Sequence, residues 1–243
     1  MIVFRCAVLA AAVAGCAAKA PEGALIADPY EATNRQIHAF NVGLDTVVLR
    51  PVSQAYDFVT PGTIRLMIGN ASNHLRLPVI FFNNLLQGDF GTALATLGRF
   101  GVNTVAGAGG LLDPATEFGL PLESTDFGIT LAKHGANEGP YVVLPIFGPS
   151  TGRDAIGVLG DIALDPLTYI SIGSGETRYA ITGTRVVTPV VDARARNADV
   201  IDNLLYESED SYVALRSAYI QNRRRAVAGG QVVPEDVPDI FAQ

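Results

Sequence analysis

Beyond residue 18 this chain is apolar, yet no stretch stays apolar for the roughly 20 residues that a membrane-spanning helix needs. Runs such as Leu77-Pro78-Val79-Ile80-Phe81-Phe82 are soon cut by polar residues. Charged residues make up 17% of the chain, against a usual share of about 25%. Mean hydropathy is +0.28. The chain must therefore cover a large apolar surface without crossing a bilayer. A soluble protein with a large core does this. So does one that lies partly in lipid or wraps an apolar ligand, and composition leaves the two open.

The apolar run before residue 18 has another meaning. Arg5 precedes an apolar segment that ends in Val13-Ala14-Gly15-Cys16, the pattern of a bacterial lipoprotein signal: a positive start, a short apolar stretch and small residues before a cysteine. Cys6 to Ala18 spans 13 residues, too few to serve as an anchor helix. An ordinary secretory signal with a chance cysteine is the other alternative. Cleavage before Cys16 removes residues 1–15, leaving 228 of 243, and makes Cys16 the lipidated N-terminus. Two or three acyl chains then give a stable membrane anchor, at about 0.8 kcal/mol per buried methylene. Cys6 and Cys16 are the only cysteines, so no thiol remains for a disulfide, a zinc site or a nucleophile. Without Arg5 the balance is 16 basic against 24 acidic residues, a net charge near −8, which argues against nucleic acid as a partner.

The rest reads as helix, with no fixed repeat and no strand–helix alternation. Residues 16–27 suggest a lipidated tether. Asp28 and Pro29 open a helix that stops at Arg50-Pro51. Others run from Pro61 to Arg76, broken by Pro78, then 79–87 and 90–105. Residues 113–124 read as loop, 125–133 as a short helix and 134–140 as a glycine-rich loop. Tyr141 to Phe147 is extended, a small hairpin arm in which Pro145 excludes a central strand. A helix ending near Asp165 and a spacer at 171–175 precede a long helix, 176–207, kinked at Pro189. Ser208 caps the last helix, whose Arg223-Arg224-Arg225 suits the negative end of its dipole. The helical domain spans 28–228, and 229–243 is a polar tail.

The first helix has two rows at 100° per residue. Ile37, Phe40, Leu44, Val47 and Val48 form an apolar face, and Asn34, His38, Asn41 and Asp45 form a narrow polar row. A solvated face is one reading of that row. Its short hydrogen-bonding groups also fit a buried network or the wall of a wet passage. Catalytic constellations are missing: His38, His74 and His134 have no metal-binding spacing and read as local hydrogen-bonding residues. Ile172-Gly173-Ser174-Gly175 lacks the first glycine of a nucleophile elbow. No catalytic residue, metal or cofactor is expected beyond the lipid on Cys16.

Several blocks together resemble a known family. Asp28-Pro29-Tyr30-Glu31 with Asn34-Arg35 and Phe40-Asn41 is similar to the N-terminal signature of the MlaA (VacJ) lipoproteins. Asn83, Gln87-Gly88-Asp89, Arg99-Phe100 and Asn103-Thr104 resemble the next block. Phe127-Gly128, His134-Gly135, Gly139 to Pro145, Gly148 and Arg153-Asp154 resemble the most specific one. The resemblance implies a mainly α, ring-shaped assembly of amphipathic helices with a small hairpin, in the inner leaflet of a Gram-negative outer membrane and facing the periplasm. It implies binding to a trimeric porin and removal of misplaced phospholipid through a central amphipathic channel. The lipid would pass to a periplasmic carrier of the MlaC type, which maintains lipid asymmetry. Ala17 after the cysteine agrees with outer-membrane sorting.

By the same resemblance Phe40 and Asn41 belong to channel control, while Gly135 and Gly139 lie in a loop beside the channel. With the polar row they make the channel or gate candidates Asn34, His38, Phe40, Asn41, Asp45, Gly135 and Gly139. A porin-bound structural lipoprotein without transport activity is the competing function, and a lipid-modifying enzyme a more distant one. Replacing the anchor tests the leader: Cys16→Ala should leave the protein soluble or retained in the inner membrane on fractionation, and normal outer-membrane recovery would contradict lipidation.

Overall fold

The computed structural model describes residues 25–169 and 175–230. The leader, Cys16, most of the tether, most of the 171–175 spacer and the tail from residue 231 lie outside the described residues. The elements are α1 (Glu31–Leu44), a π-helical turn (Asp45–Leu49), α2 (Arg50–Val59), α3 (Gly62–Leu86), α4 (Phe90–Val105), α5 (Pro114–Glu117) and α6 (Phe127–Lys133). A hairpin of β1 (Tyr141–Leu144) and β2 (Gly148–Thr151) follows, then α7 (Gly152–Leu164) and α8 (Pro166–Tyr169). The chain ends in α9 (Gly175–Arg196), α10 (Ala198–Asp202), a second π-helical turn (Asn203–Glu207) and α11 (Ser211–Val227). The fold is mainly helical, and the hairpin is antiparallel with Tyr141 opposite Thr151 and Leu144 opposite Gly148. Pro145 falls in its turn, as a residue without an N–H should.

Several boundaries differ from the sequence reading, each for a local reason. Asp28 does not cap α1, which starts at Glu31 without a side-chain cap; its carboxylate instead accepts from Asn34 at 2.9 Å and Arg216 at 2.6 Å. The first helix does not stop at Arg50-Pro51. Asp45 to Leu49 widens, Arg50 N–H donates to the Asp45 carbonyl, and Pro51 falls in the first turn of α2, where no N–H is required. Nor does Pro78 break α3. One backbone bond is lost there, but Leu77 and Ile80 are both buried, and α3 packs along α4. Packing on either side outweighs the proline.

The loop 113–124 holds the short α5. The segment 176–207 is not one regular helix; it breaks at Asn197 and widens into the second π turn at Asn203. The cap of α11 is Asp210, which accepts from Tyr212 and Val213 N–H, while Ser208 donates back to the Leu204 carbonyl. Leu25, Ile26 and Ala27 are not tether. They pack in the core, and Tyr141 N–H donates to the Ala27 carbonyl at 2.9 Å.

Contacts between elements close on themselves. α1 lies on β1, β1 on β2, β2 on α7, α7 on α3, α3 on α9 and α9 on α2, which the first π turn joins back to α1. α11 braces this circuit against β2, α6 and the second π turn. The apolar core is small: Ile26, Tyr141, Val143, Tyr212 and Ile220, with Leu25, Ile37 and Tyr219 around them. Among the described residues, buried polar and charged side chains outnumber buried apolar ones, while many large apolar side chains are exposed. Along α1 and its π turn, Phe40, Val47 and Val48 are exposed and Asn34, His38 and Asp45 buried. The molecule thus reverses the usual arrangement. Among the described residues no helix is long and apolar enough to cross a membrane.

Such an interior holds only if its polar groups are paired. Arg223 does much of this. It grips Asp154 through Nε at 2.8 Å and Asp126 through Nη1 at 2.6 Å, tying α11 to α6 and α7. Tyr219 donates to the same Asp154 at 2.8 Å. Gly128 is required there, because a Cβ would lie 2.5 Å from Arg223 Nη2 and from Asp154 Oδ1. Arg223 and Arg224 therefore cross-link the fold rather than only facing the helix dipole; Arg224 holds Glu138 and the Leu25 carbonyl.

Burial pushes the Asp126 and Asp154 carboxyls up, but Arg223 outweighs it and holds both below the ordinary carboxylate range. Because the folded values are depressed, their stabilisation is present above the unfolded value, about 4, and disappears as pH falls through the lowered folded values. Arg223→Met should cost about 3 kcal/mol by leaving the partly buried Asp126 without a cation and the buried Asp154 with only Arg153. Denaturant titration in detergent should show this loss and a midpoint that no longer has the wild-type acid dependence.

Candidate functional site

A cavity of about 510 Å³ lies between α1 and its π turn, the hairpin arm and the α9–α10 segment. His38, Asn41, Asp45 and Arg194 supply its polar wall; Val42, Leu49, Val190, Val200, Ile201 and Leu205 supply most of the rest. It is an amphipathic space, apolar over most of its area with a polar stripe down one side. The stripe is the row legible in the first helix. Three of its four members reach the cavity, and Asn34 lies just beyond it in the buried network.

Two asparagines aim this row. Asn34 donates to the Tyr141 carbonyl at 3.1 Å and accepts from Val143 N–H at 2.9 Å, acting as the next strand would on the edge of β1. Asn41 repeats the grip at the turn, donating to the Leu144 carbonyl at 3.0 Å and accepting from Ile146 N–H at 2.7 Å. Seven residues of helix rise about 10.5 Å. Three residues of strand advance about 10 Å. The two periods match, so one helix face can grip the arm twice.

His38 lies between them, its Nε2 2.9 Å from Ser211 Oγ and its ring edge-on to Tyr212. Burial lowers its pKa, which keeps the imidazole neutral at neutral pH. Asp45 closes the row. Its carboxylate receives Arg194 Nε at 2.9 Å and Nη2 at 3.1 Å, together with Tyr206 O–H at 2.7 Å. Arg194 also bonds Asp202, which Arg50 meets at 2.7 Å. Two acids and two guanidiniums therefore compensate one another where the π turns meet. This ion pair sits in the cavity wall without leaving a surplus charge.

The remaining candidates lie elsewhere. Phe40 is 56% exposed on the outward face of α1. Gly135 and Gly139, at φ +88° and +70°, shape the loop after α6 and do not line the cavity. A Cβ on Gly135 would meet nothing within 4 Å, so only its backbone angle requires glycine. Sequence reasoning missed Arg194, Tyr206 and the valines of α9 and α10. One signal was available: Arg194 follows the apolar turns Val186-Val187 and Val190-Val191 on the same helix. The histidines are far apart in role. His74 stacks on Phe100 with ring centres 4.8 Å apart, and His134 donates from Nδ1 to the Thr130 carbonyl at 2.8 Å. Among the described residues no cluster of His, Cys, Asp and Glu could hold a metal ion.

The MlaA lipoprotein family model matches residues 26–226, which is nearly the whole described fold. The chain belongs to the MlaA lipoprotein family. It is similar to the intermembrane phospholipid transport system lipoprotein MlaA of Escherichia coli K12, at 32% identity over 94% of this chain and 89% of that one. Its counterpart in Haemophilus influenzae is 32% identical, with 87% and 84% covered. A solved structure described as the structural basis for maintenance of bacterial outer membrane lipid asymmetry superposes with a TM-score of 0.71. Sequence identity to it is 33%, with 83% of this chain and 99% of that chain covered.

The residues that carried the family resemblance have identifiable physical tasks. Asn34 and Asn41 hold the arm; Arg99 and Asn103 hold Asp113, with Asn103 accepting from Ala115 N–H at 3.0 Å. Asn83, wholly buried, joins Asp161 at 2.9 Å to Thr130 at 2.7 Å. They are internal staples of a polar interior. Cutting the cavity-wall pair tests this: Asp45→Ala should destabilise the fold by about 3 kcal/mol, because Arg194 stays buried with only Asp202. In a double-mutant cycle Arg194→Ala should recover part of that loss, and strictly additive effects would contradict the pairing.

Proposed function

We propose that this chain is an outer-membrane lipoprotein, anchored by lipid on Cys16, that removes misplaced phospholipid from the outer leaflet through its cavity. The lipid passes to a periplasmic carrier of the MlaC type, and a trimeric porin holds the ring in place. The observation that carries this reading is the reversed build: exposed apolar faces, a closed circuit of helices and an amphipathic cavity. A phospholipid head group leaving water for hydrocarbon loses hydrogen bonds at several kcal/mol per polar group. The stripe of Asn41, His38 and the Asp45–Arg194 pair offers replacement partners, while the valine and leucine walls accept acyl chains. Transfer of this kind breaks no covalent bond, so it needs no nucleophile, metal or cofactor. The names of the relatives, phospholipid transport lipoproteins in E. coli and H. influenzae, agree with it.

The exposed apolar faces would equally suit a structural lipoprotein that binds a porin without moving lipid. Filling the cavity separates the two. Ala193 is exposed to the cavity from α9, so Ala193→Trp should obstruct passage while the fold and porin association persist. In a deletion strain this variant should fail to lower surface phospholipid, whereas wild type restores it. Full rescue by a folded, porin-bound Ala193→Trp protein would sink transport through the cavity and leave the structural role.

A further inference from the structure

The tip of the hairpin arm is built unlike the rest of the surface. Ile146 and Phe147 are each 71% exposed. Ile146 sits at φ +72°, a region that β-branched residues avoid and glycine enters freely. The turn geometry alone therefore gives no reason for isoleucine. Asn41 holds the residue there, through Ile146 N–H at 2.7 Å and the Leu144 carbonyl at 3.0 Å. Pro145 and Pro149 have no N–H to offer, and that of Ile146 is already taken. From Tyr141 to Ser150 there is no charged side chain.

A surface that docks a soluble protein usually carries a polar rim with groups free to pair across the interface. A segment entering hydrocarbon has the opposite requirement, since each unpaired backbone group is costly there. Two large apolar side chains on an uncharged turn, where Pro145 has no donor and that of Ile146 is occupied, suit the second requirement. We propose that the turn Pro145-Ile146-Phe147 is a wedge that inserts among lipid acyl chains. Val143 and Gly148, at the base of the same turn, line the cavity, so insertion sets the arm side of the cavity against the membrane. This inference does not depend on transport; a structural lipoprotein could seat itself in the same way.

The chain contains no tryptophan, so Phe147→Trp gives a reporter without background. The full lipidated variant, reconstituted in phosphatidylethanolamine vesicles with bromine-labelled phosphatidylcholine, should emit at shorter wavelength than in water. It should lose most of its emission to bromine in the upper acyl chain and little to aqueous acrylamide. Adding Ile146→Gly, which suits the positive φ and so preserves the turn, should reduce the bromine quenching. Emission open to acrylamide and indifferent to bromine would overturn the wedge. Protection from both quenchers would place the tip against protein and overturn it too, as would unchanged bromine quenching after Ile146→Gly.

Discussion

Two side-chain amides, Asn34 and Asn41, hold the hairpin arm against the first helix, and most of the architecture is arranged around that grip. It turns the polar face of α1 inward and thereby turns Phe40, Val47 and Val48 outward. Once that choice is made, the remaining interior must be polar as well, because the apolar residues are already committed to the outside. Arg223 with Asp126 and Asp154, Arg194 with Asp45, and Arg99 with Asp113 follow the same logic. Buried ion pairs of this kind add little net stability over an apolar core, yet losing one partner is severe. The interior therefore specifies one arrangement more than it strengthens it.

The reversed build also explains how the chain can be apolar without a spanning helix. In water an outward-facing belt of valine, leucine and phenylalanine on this scale marks an interaction surface. Here it surrounds a circuit of short amphipathic helices whose backbone groups are satisfied within each helix. Such elements can lie in a bilayer leaflet without crossing it, held by lipid on the outside and by their own hydrogen bonds within.

Much of this was legible in the residues. The polar row of the first helix, the hairpin arm at Tyr141 and the helix 90–105 all follow from local rules of periodicity and turn chemistry. The errors share one cause. Pro51 and Pro78 read as helix ends because proline removes a donor, but a π turn and dense packing absorb that loss, and neither is visible locally. Asp28 looked like a cap because nothing in its neighbourhood shows the distant partner Arg216, whereas Ser208 reads as the cap two residues before Asp210, which fills that place. Phe40 read as part of an apolar face and, by resemblance, as a channel residue; periodicity reports which side is apolar, not which side is inside. The cavity wall contributed by α9 and α10 was illegible for the same reason: Arg194 meets Asp45 across 149 residues of chain.

Separations of that length have a temporal meaning. Asp28 meets Arg216 across 188 residues, and Arg223 clasps Asp126 across 97. The circuit is unbraced until the final helix exists, and contacts this remote in sequence form late. Until then the apolar segments are present without the clasps that organise them, so an unfinished chain is a sticky, open string.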